Sequence, residues 1–275
     1  MTTPDPVTPF AAVLRADNPG PMTLDGTRSH VLRAPGAEAA VVVDPGPDHA
    51  DHLAALAAAG PVALVLVTHR HADHTAGAPR LHALTGAPVR AADPAHCHGG
   101  APLAGGEVIE AAGLRVEVLA TPGHTADSVS FVVAPAGAAE GAAAPERVVL
   151  TGDTVLGRGT TVIAEPDGSL RDYLVSLDVL ERAAGAAPVR GLPGHGPVVD
   201  DLGAVVRAYR AHRHERLAQV RAAVAALGVA LPDGGDVPAG LADAVVDAVY
   251  ADVDDAVRRA ARQSVVAQLE YLAGR

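Results

Sequence analysis

Aromatic residues are scarce in this sequence, and their scarcity limits how a core can be built. Only 2% of the 275 residues are Phe, Trp or Tyr, whereas 49% are hydrophobic overall. The core must therefore be made from Ala, Val and Leu, packed between layers of regular secondary structure. This length and hydrophobic content exclude a disordered chain and allow one large domain with a small second domain.

Cysteine and positive charge are also in short supply. The single cysteine, Cys97, cannot form an internal disulfide, which is typical of proteins from a reducing compartment. There are 21 basic and 32 acidic residues, and the formal net charge is −11. Such a surface repels phosphate backbones, so general nucleic-acid binding is disfavoured.

Long apolar runs and export signals are absent from the sequence. The N-terminal segment MTTPDPVTP contains neither the positive residues nor the apolar stretch of a signal peptide. The longest apolar stretches, such as VALVLV at 62–67, have the length of a β-strand and are too short for a membrane span. We therefore expect a cytoplasmic protein without membrane contact, and its oligomeric state is left open.

Two kinds of hydrophobic pattern divide the chain. Short β-branched or alternating runs predict strands at 39–43, 62–67, 114–120, 128–134 and 147–150. Helical patterns lie between them at 48–59, 75–85 and 171–184, and helices alone are predicted later, at 202–227, 239–250, 253–260 and 263–273. We therefore predict an α/β domain over residues 1–200 and a helical subdomain over residues 201–275.

The segment THRHADHTAG at 68–77 follows a predicted strand directly and contains four potential metal ligands. These are His69, His71, Asp73 and His74. Imidazole nitrogens combined with carboxylate oxygens suit an ion such as zinc. A solvated, histidine-rich turn is the alternative. It is disfavoured because three further segments repeat the design of a strand followed by a glycine-bearing turn, namely ATPGHT with His124, LTGDT with Asp153 and LPGHGP with His195.

Over residues 20–200 these motifs resemble the metallo-β-lactamase superfamily, with its HxHxDH motif and its later His, Asp and His ligands. The resemblance implies a four-layer αββα sandwich that holds two zinc ions. It assigns His69, His71 and His124 to one ion, Asp73, His74 and His195 to the other, and Asp153 to a bridging position. Longer segments, among them NPGPMTLDGT at 18–27, VVVDPGP at 41–47 and YRAHRHERLAQV at 209–220, resemble the beta-lactamase-like protein 2 family. That family resemblance implies a small helical, partial winged-helix-like C-terminal region.

The implied chemistry is hydrolysis. Two divalent ions about 3.5–4 Å apart can share a water, lower its pKa and present a bridging hydroxide to an ester, thioester or phosphodiester bond. Asp73 is the candidate catalytic residue, because it is placed to orient that hydroxide. β-Lactamase activity is disfavoured, since Cys97 lies away from every ligand motif.

Three alternatives for the function stay open at this point. An endoribonuclease-like phosphodiesterase acting on single-stranded RNA is suggested by the resemblance but disfavoured by the net charge of −11. A glyoxalase-II-like thioesterase tolerates an acidic surface better, so a small-molecule or acyl-thioester substrate is preferred to nucleic acid. A non-enzymatic, zinc-containing regulator is the weakest alternative, because structural zinc sites are closed.

A candidate substrate-binding face lies in the helical region. Tyr209, His212 and Arg213 follow helical spacing and share one side of a helix. A plain solvated face is the alternative. The hypothesis is that these residues overhang the zinc cleft and bind an anionic part of the substrate.

Overall fold

The computed structural model describes residues 3–137, 146–163, 166–250 and 255–275, and the strands in these ranges form two sheets. The first sheet follows chain order, with β1 (Asp5–Thr8), β2 (Ala11–Arg15), β3 (Arg28–Leu32), β4 (Ala40–Val43), β5 (Val62–Leu66) and β6 (Val89–Arg90). The second has the order β11 (Arg190–Pro193), β10 (Val148–Gly152), β9 (Val129–Pro135), β8 (Leu114–Ala120) and β7 (Val108–Ala111). The pairs β4–β5, β5–β6 and β10–β11 are parallel, and the other neighbouring strands are antiparallel.

The two sheets pack face to face between two layers of helices. Leu32 and Val43 of the first sheet share one apolar cluster with Val116 and Phe131 of the second. Helices α1 (Ala50–Ala58) and α3 (Ala78–Thr85) cover the outer face of the first sheet, and α4 (Leu170–Ala184) covers the second. The short helix α2 (Ala72–Thr75) follows β5. This arrangement confirms the predicted αββα sandwich.

Local sequence explains why α4 forms and which face it buries. The Ser169 side chain accepts a hydrogen bond from the backbone N–H of Asp172 and so caps the first turn. Gly185 follows the last turn in a positive-φ conformation (72°) that glycine adopts without strain. Between these ends, apolar residues recur at helical spacing, and Tyr173 and Leu177 are fully buried against the second sheet.

Three helices form the C-terminal region, α5 (Leu202–Ala226), α6 (Leu241–Val249) and α7 (Asp255–Leu272). The first half of α5 buries Val206 in the cluster beneath the second sheet, and its second half buries Val220 and Val224 against α6 and α7. Among the described residues, none of the helices combines the length and the apolar character needed to cross a bilayer. The boundary near residue 200 stays a prediction.

Two predictions of secondary structure need correction. The helices predicted at 253–260 and 263–273 are one helix, α7, in the described residues, and residues 253 and 254 lie outside them. No Pro or Gly interrupts the sequence of α7, and Arg259 and Arg262 are exposed on this continuous helix. Strands β1, β2, β3, β6, β7 and β11 were not predicted. β1, β6, β7 and β11 are short edge strands, and the interior strands β2 (AAVLR) and β3 (RSHVL) lack a clear period-two pattern.

Candidate metal centre

All predicted ligands lie in loops or a short helix that follow strand ends. His69 and His71 lie between β5 and α2, and Arg70 between them forms an ion pair with Asp167. Asp73 and His74 lie within α2. The other three ligands, His124, Asp153 and His195, follow β8, β10 and β11. These chain segments meet at one edge of the sandwich, so residues far apart in sequence become neighbours.

The predicted ligands form two groups, and within each group the donor atoms lie within 4.8 Å of one another. One group is His69, His71, His124 and Asp153, and the other is Asp73, His74 and His195. In the first, the Nδ1 atom of His71 lies 3.0 Å from Nε2 of His69 and 3.1 Å from Nε2 of His124. In the second, the Nε2 atoms of His74 and His195 are 3.3 Å apart.

Asp153 lies between the two groups. Its Oδ2 atom is 3.2 Å from Nε2 of His195 and 3.8 Å from Nε2 of His124. Its Oδ1 atom is 3.5 Å from Nε2 of His74 and is buried without a hydrogen-bond partner among the described residues. The turn next to it requires glycine, because a Cβ atom at Gly194 would lie 2.4 Å from this Oδ1. Asp153 is thus the one carboxylate that faces both groups.

Hydrogen bonds to Nδ1 orient three of the histidines. The Nδ1 atom of His74 donates to Asp44 (2.9 Å), that of His124 to the carbonyl of Val162 (2.8 Å) and that of His195 to the carbonyl of Gly26 (3.4 Å). A proton on Nδ1 leaves a lone pair on Nε2, which is the atom that each ring presents to the site. An ion in the site would therefore bind these three rings through Nε2.

The donor spacing fits a tetrahedral ion. Zinc–nitrogen bonds of about 2.0–2.1 Å place tetrahedral ligand atoms roughly 3.3 Å apart. The nitrogen–nitrogen distances of 3.0, 3.1 and 3.3 Å lie close to that value. Nitrogen and carboxylate donors with an unpartnered buried carboxylate oxygen are the chemistry of a divalent transition-metal site, so the residues fit two such ions.

Burial and neighbouring charges shift the histidine pKa values differently in the two groups. Burial lowers the pKa of His69 well below its ordinary value, and burial followed by the neighbouring His124 lowers the pKa of His71. Burial also opposes the charged form of His195, but hydrogen bonds to Asp153 and Asp73 outweigh it and raise its pKa to about 9. His69 and His71 are therefore neutral and ready to bind an ion, whereas His195 holds a proton that an ion would displace.

The two carboxylates of the site, Asp73 and Asp153, both have lowered pKa values. Burial acts to raise the pKa of Asp73, but hydrogen bonds from His195, His74 and Thr27 hold it far below the usual range. The pKa of Asp153 is likewise lowered, because the charge of His74 and the hydrogen bond to His195 outweigh burial. Both carboxylates are thus charged at neutral pH and attract a cation.

Sequence reasoning assigned no role to two residues that hold these ligands. Asp44 is 1% exposed and accepts hydrogen bonds from the N–H (2.7 Å) and the hydroxyl (2.8 Å) of Thr68 and from His74. The hydroxyl of Thr27 donates to Asp73 over 2.8 Å. A signal for Asp44 was available, because the ends of the parallel strands β4 and β5 lie at the same sheet edge.

Two of the three proposed substrate residues, Tyr209 and Arg213, are buried in the structure, and their role in substrate binding stays a prediction. The hydroxyl of Tyr209 accepts a hydrogen bond from the N–H of Leu156 over 3.0 Å, and Tyr209 is 5% exposed. Arg213 is 6% exposed and donates to the carbonyl of Thr161. His212, the third of them, is partly exposed.

Comparisons with known proteins agree with this geometry. A family model described as the Metallo-beta-lactamase superfamily matches residues 22–195, and one described as the Beta-lactamase associated winged helix domain matches residues 242–275. The atrochrysone carboxyl ACP thioesterase of Aspergillus chevalieri is 31% identical over 228 residues, covering 79% of this chain and 67% of that protein. A protein of the same name from Aspergillus fumigatus is 30% identical over 265 residues, covering 91% of this chain and 78% of that protein.

Solved structures extend the similarity to nearly the whole chain. A metallo-beta-lactamase family protein from Thermus thermophilus superposes with a TM-score of 0.70 at 23% identity, covering 97% of this chain and 94% of that chain. At this identity the likeness concerns the fold, including the C-terminal helices.

Proposed function

The chain belongs to the metallo-beta-lactamase superfamily, and on this premise we propose that it is a dinuclear zinc hydrolase that cleaves acyl thioesters. The observation that carries the proposal is that oxygen acceptors hold the Nδ1 atoms of His74, His124 and His195 while their Nε2 atoms lie 3.1–3.3 Å from a ring nitrogen of another predicted ligand. In the proposal, His69, His71 and His124 hold one ion, Asp73, His74 and His195 hold the other, and Asp153 bridges them. Two such ions, when bound, would lower the pKa of a water and polarise a carbonyl oxygen.

Asp73 is the catalytic carboxylate in this proposal. Its side chain is 26% exposed, whereas His74 and His195 of the same group are buried. The hydroxyl of Thr27 donates to its Oδ2 and so fixes the carboxylate against the loop at 18–27. A charged, oriented carboxylate with access to solvent can accept a hydrogen bond from the attacking water and later pass its proton to the leaving group.

The surface charge favours a thioester over RNA. On the helical subdomain, Arg207 and Arg210 both pair with Glu181, so their charge is compensated. Arg258 pairs with Asp247 in the same way. With a net charge of −11 and these arginines paired, the described surface offers little to a phosphate backbone. The two relatives named above are thioesterases, which supports a thioester as the bond that this chain cleaves.

The test is a parallel activity screen of zinc-loaded and metal-stripped protein. The substrates are an acyl-coenzyme A, a single-stranded RNA and bis(p-nitrophenyl) phosphate, and the metal content is measured in the same samples. We expect thioester turnover only in the loaded protein, and an Asp73→Asn variant should lose about 100-fold or more in kcat. Asp48→Asn, which changes an exposed carboxylate outside the site, should match the parent.

Two results would contradict the proposal. Faster cleavage of RNA or of the phosphodiester would assign the site to a phosphodiesterase. A protein with two bound ions and no turnover of any of the three substrates would favour a non-enzymatic role for the metal.

A further inference from the structure

Residues 156–163 form an irregular segment between Asp153 and α4, and other elements must hold it in place. It contains no helix or strand, so its backbone hydrogen bonds do not repeat along the chain. The segment nevertheless provides both oxygens that meet Nδ1 of His124. These are the carbonyl of Val162 at 2.8 Å and the hydroxyl of Thr161 at 3.1 Å. The orientation of the His124 ring therefore depends on how this segment is positioned.

Helix α5 reaches the same segment with two side chains one turn apart. Tyr209 exchanges hydrogen bonds with the N–H and the carbonyl of Leu156 at 3.0 and 3.4 Å. Arg213 donates from Nη2 to the carbonyl of Thr161. One end of the segment is thus held by Tyr209, and the part that contacts His124 is held by Arg213.

The surroundings of Arg213 are unusual for a guanidinium. It is 6% exposed, and its Cζ lies 5.1 Å from the centroid of the Tyr173 ring, which gives it a cation–π contact. Burying a guanidinium is costly unless its N–H groups find acceptors. Tyr173 in turn donates from its hydroxyl to the carbonyl of Thr154, next to Asp153. Arg213 therefore contacts the chain after Asp153 directly, at Thr161, and indirectly, through Tyr173.

We propose that Arg213 is a positioning residue for the metal ligand His124. By holding the carbonyl of Thr161, it fixes the two oxygens that keep the proton on Nδ1 of His124 and direct Nε2 toward the site. The C-terminal helical region thereby acts on the metal centre from behind, without contacting substrate. This inference rests on the proposed function, because it requires that His124 bind an ion.

The test measures zinc affinity in the full chain by competition with a chromophoric chelator, which resolves two binding steps. A His124→Ala variant identifies which step belongs to the group that contains His124. Arg213→Met keeps most of the buried aliphatic stem and removes the guanidinium. We expect it to weaken that one step about 10-fold, as loss of a ligand-supporting hydrogen bond does, and to leave the other step unchanged.

Two further variants separate positioning from general support of the helix. Arg210→Met is the matched control, because Arg210 also ties α5 to α4 through ion pairs with Asp178 and Glu181 but does not touch the segment 156–163. It should leave both steps unchanged. Arg213→Lys retains a donor for the carbonyl of Thr161 and should recover part of the lost affinity.

The outcomes are distinguishable from failure of the proposed function. A parent protein that binds no zinc overturns both. If the parent binds two ions and Arg213→Met binds both as tightly, the positioning role alone is overturned. It is also overturned if Arg213→Met loses zinc affinity equally at both steps, or if Arg210→Met loses as much zinc affinity as Arg213→Met. If Arg213→Met does not fold, Arg213→Lys decides, since it must weaken the His124 step selectively.

Discussion

Asp44→Asn is expected to weaken one metal site while leaving the fold intact. The Oδ1 atom of Asp44 accepts the N–H of Thr68 at 2.7 Å, and its Oδ2 atom accepts Nδ1–H of His74 at 2.9 Å. Asparagine has one acceptor and one donor at these positions. If the amide oxygen accepts the N–H of Thr68, the NH₂ group faces the proton on Nδ1 of His74. In the reverse orientation the NH₂ group faces the N–H of Thr68.

The size of the effect follows from this mismatch. His74 can relieve it by moving its proton to Nε2, but then Nε2 has no lone pair for an ion. Binding an ion therefore leaves one buried donor unsatisfied, which costs about 1–3 kcal/mol. Since about 1.4 kcal/mol is tenfold in affinity, zinc binding to the group of Asp73, His74 and His195 should weaken roughly 5- to 150-fold.

The metal-free protein should be affected much less. Asp44 has a positive φ of 54°, and asparagine tolerates this conformation better than most residues. In the absence of metal, His74 can release a proton and adopt the tautomer that suits the amide, because Asp44→Asn removes one of the charges that raise the pKa of His74. The melting temperature in excess chelator should therefore stay close to that of the parent.

Chelator competition resolves the two zinc affinities and provides the assay. The step assigned to the His124 group should be unchanged, and Asp48→Asn, at an exposed aspartate, should leave both steps unchanged. The reasoning is refuted if Asp44→Asn binds both ions as tightly as the parent, or if both affinities fall equally.

Two further predictions concern a glycine and a buried histidine. In Gly194→Ala the new Cβ would lie 2.4 Å from Oδ1 of Asp153, so this carboxylate must move. Metal analysis of the variant should therefore find fewer than two ions per chain. A variant that still binds two ions would contradict the bridging position of Asp153. Burial lowers the pKa of His52, whose Nε2 lies 2.8 Å from the Ser29 hydroxyl, to about 4 from 6.5. Because the pKa of His52 is lower in the folded than in the unfolded protein, its contribution to stability is complete above pH 6.5 and is lost as the pH falls toward 4. The loss in the free energy of unfolding is about 3 kcal/mol. Urea unfolding of metal-free protein at both pH values should show a loss about 3 kcal/mol smaller in His52→Gln than in the parent, whereas a variant of the exposed His214, His214→Gln, should match the parent; an equal loss in all three would exclude His52 as its source.

The candidate ligand set could be proposed from sequence because metal chemistry restricts both residue type and local spacing, and the structure brings these residues together. His69, His71, Asp73 and His74 lie within six positions after an apolar strand, and no structural role of a turn calls for that combination. The sandwich was predictable for a similar reason, since strand and helix patterns intermix up to about residue 200. Both are properties of short segments, which the sequence displays directly.

The supporting residues depend on which strands become neighbours. Asp44 meets His74 because β4 lies beside β5 in parallel, and Thr27 meets Asp73 because the loop after β2 folds across the strand ends. Strand order is a property of the whole sheet, and several of its edge strands carry weak patterns. Sequence could therefore identify the ligands but not what orients them.

The direction of the Tyr209–Arg213 face was likewise decided only by tertiary packing. Helical spacing correctly placed these side chains on one side of α5. Whether that side faces the cleft or the interior depends on how α5 is rotated against α4 and the irregular segment 156–163. That rotation is set by the apolar contacts of residues such as Val206 and Leu217, which bury the same side of the helix and carry Arg213 inward with them.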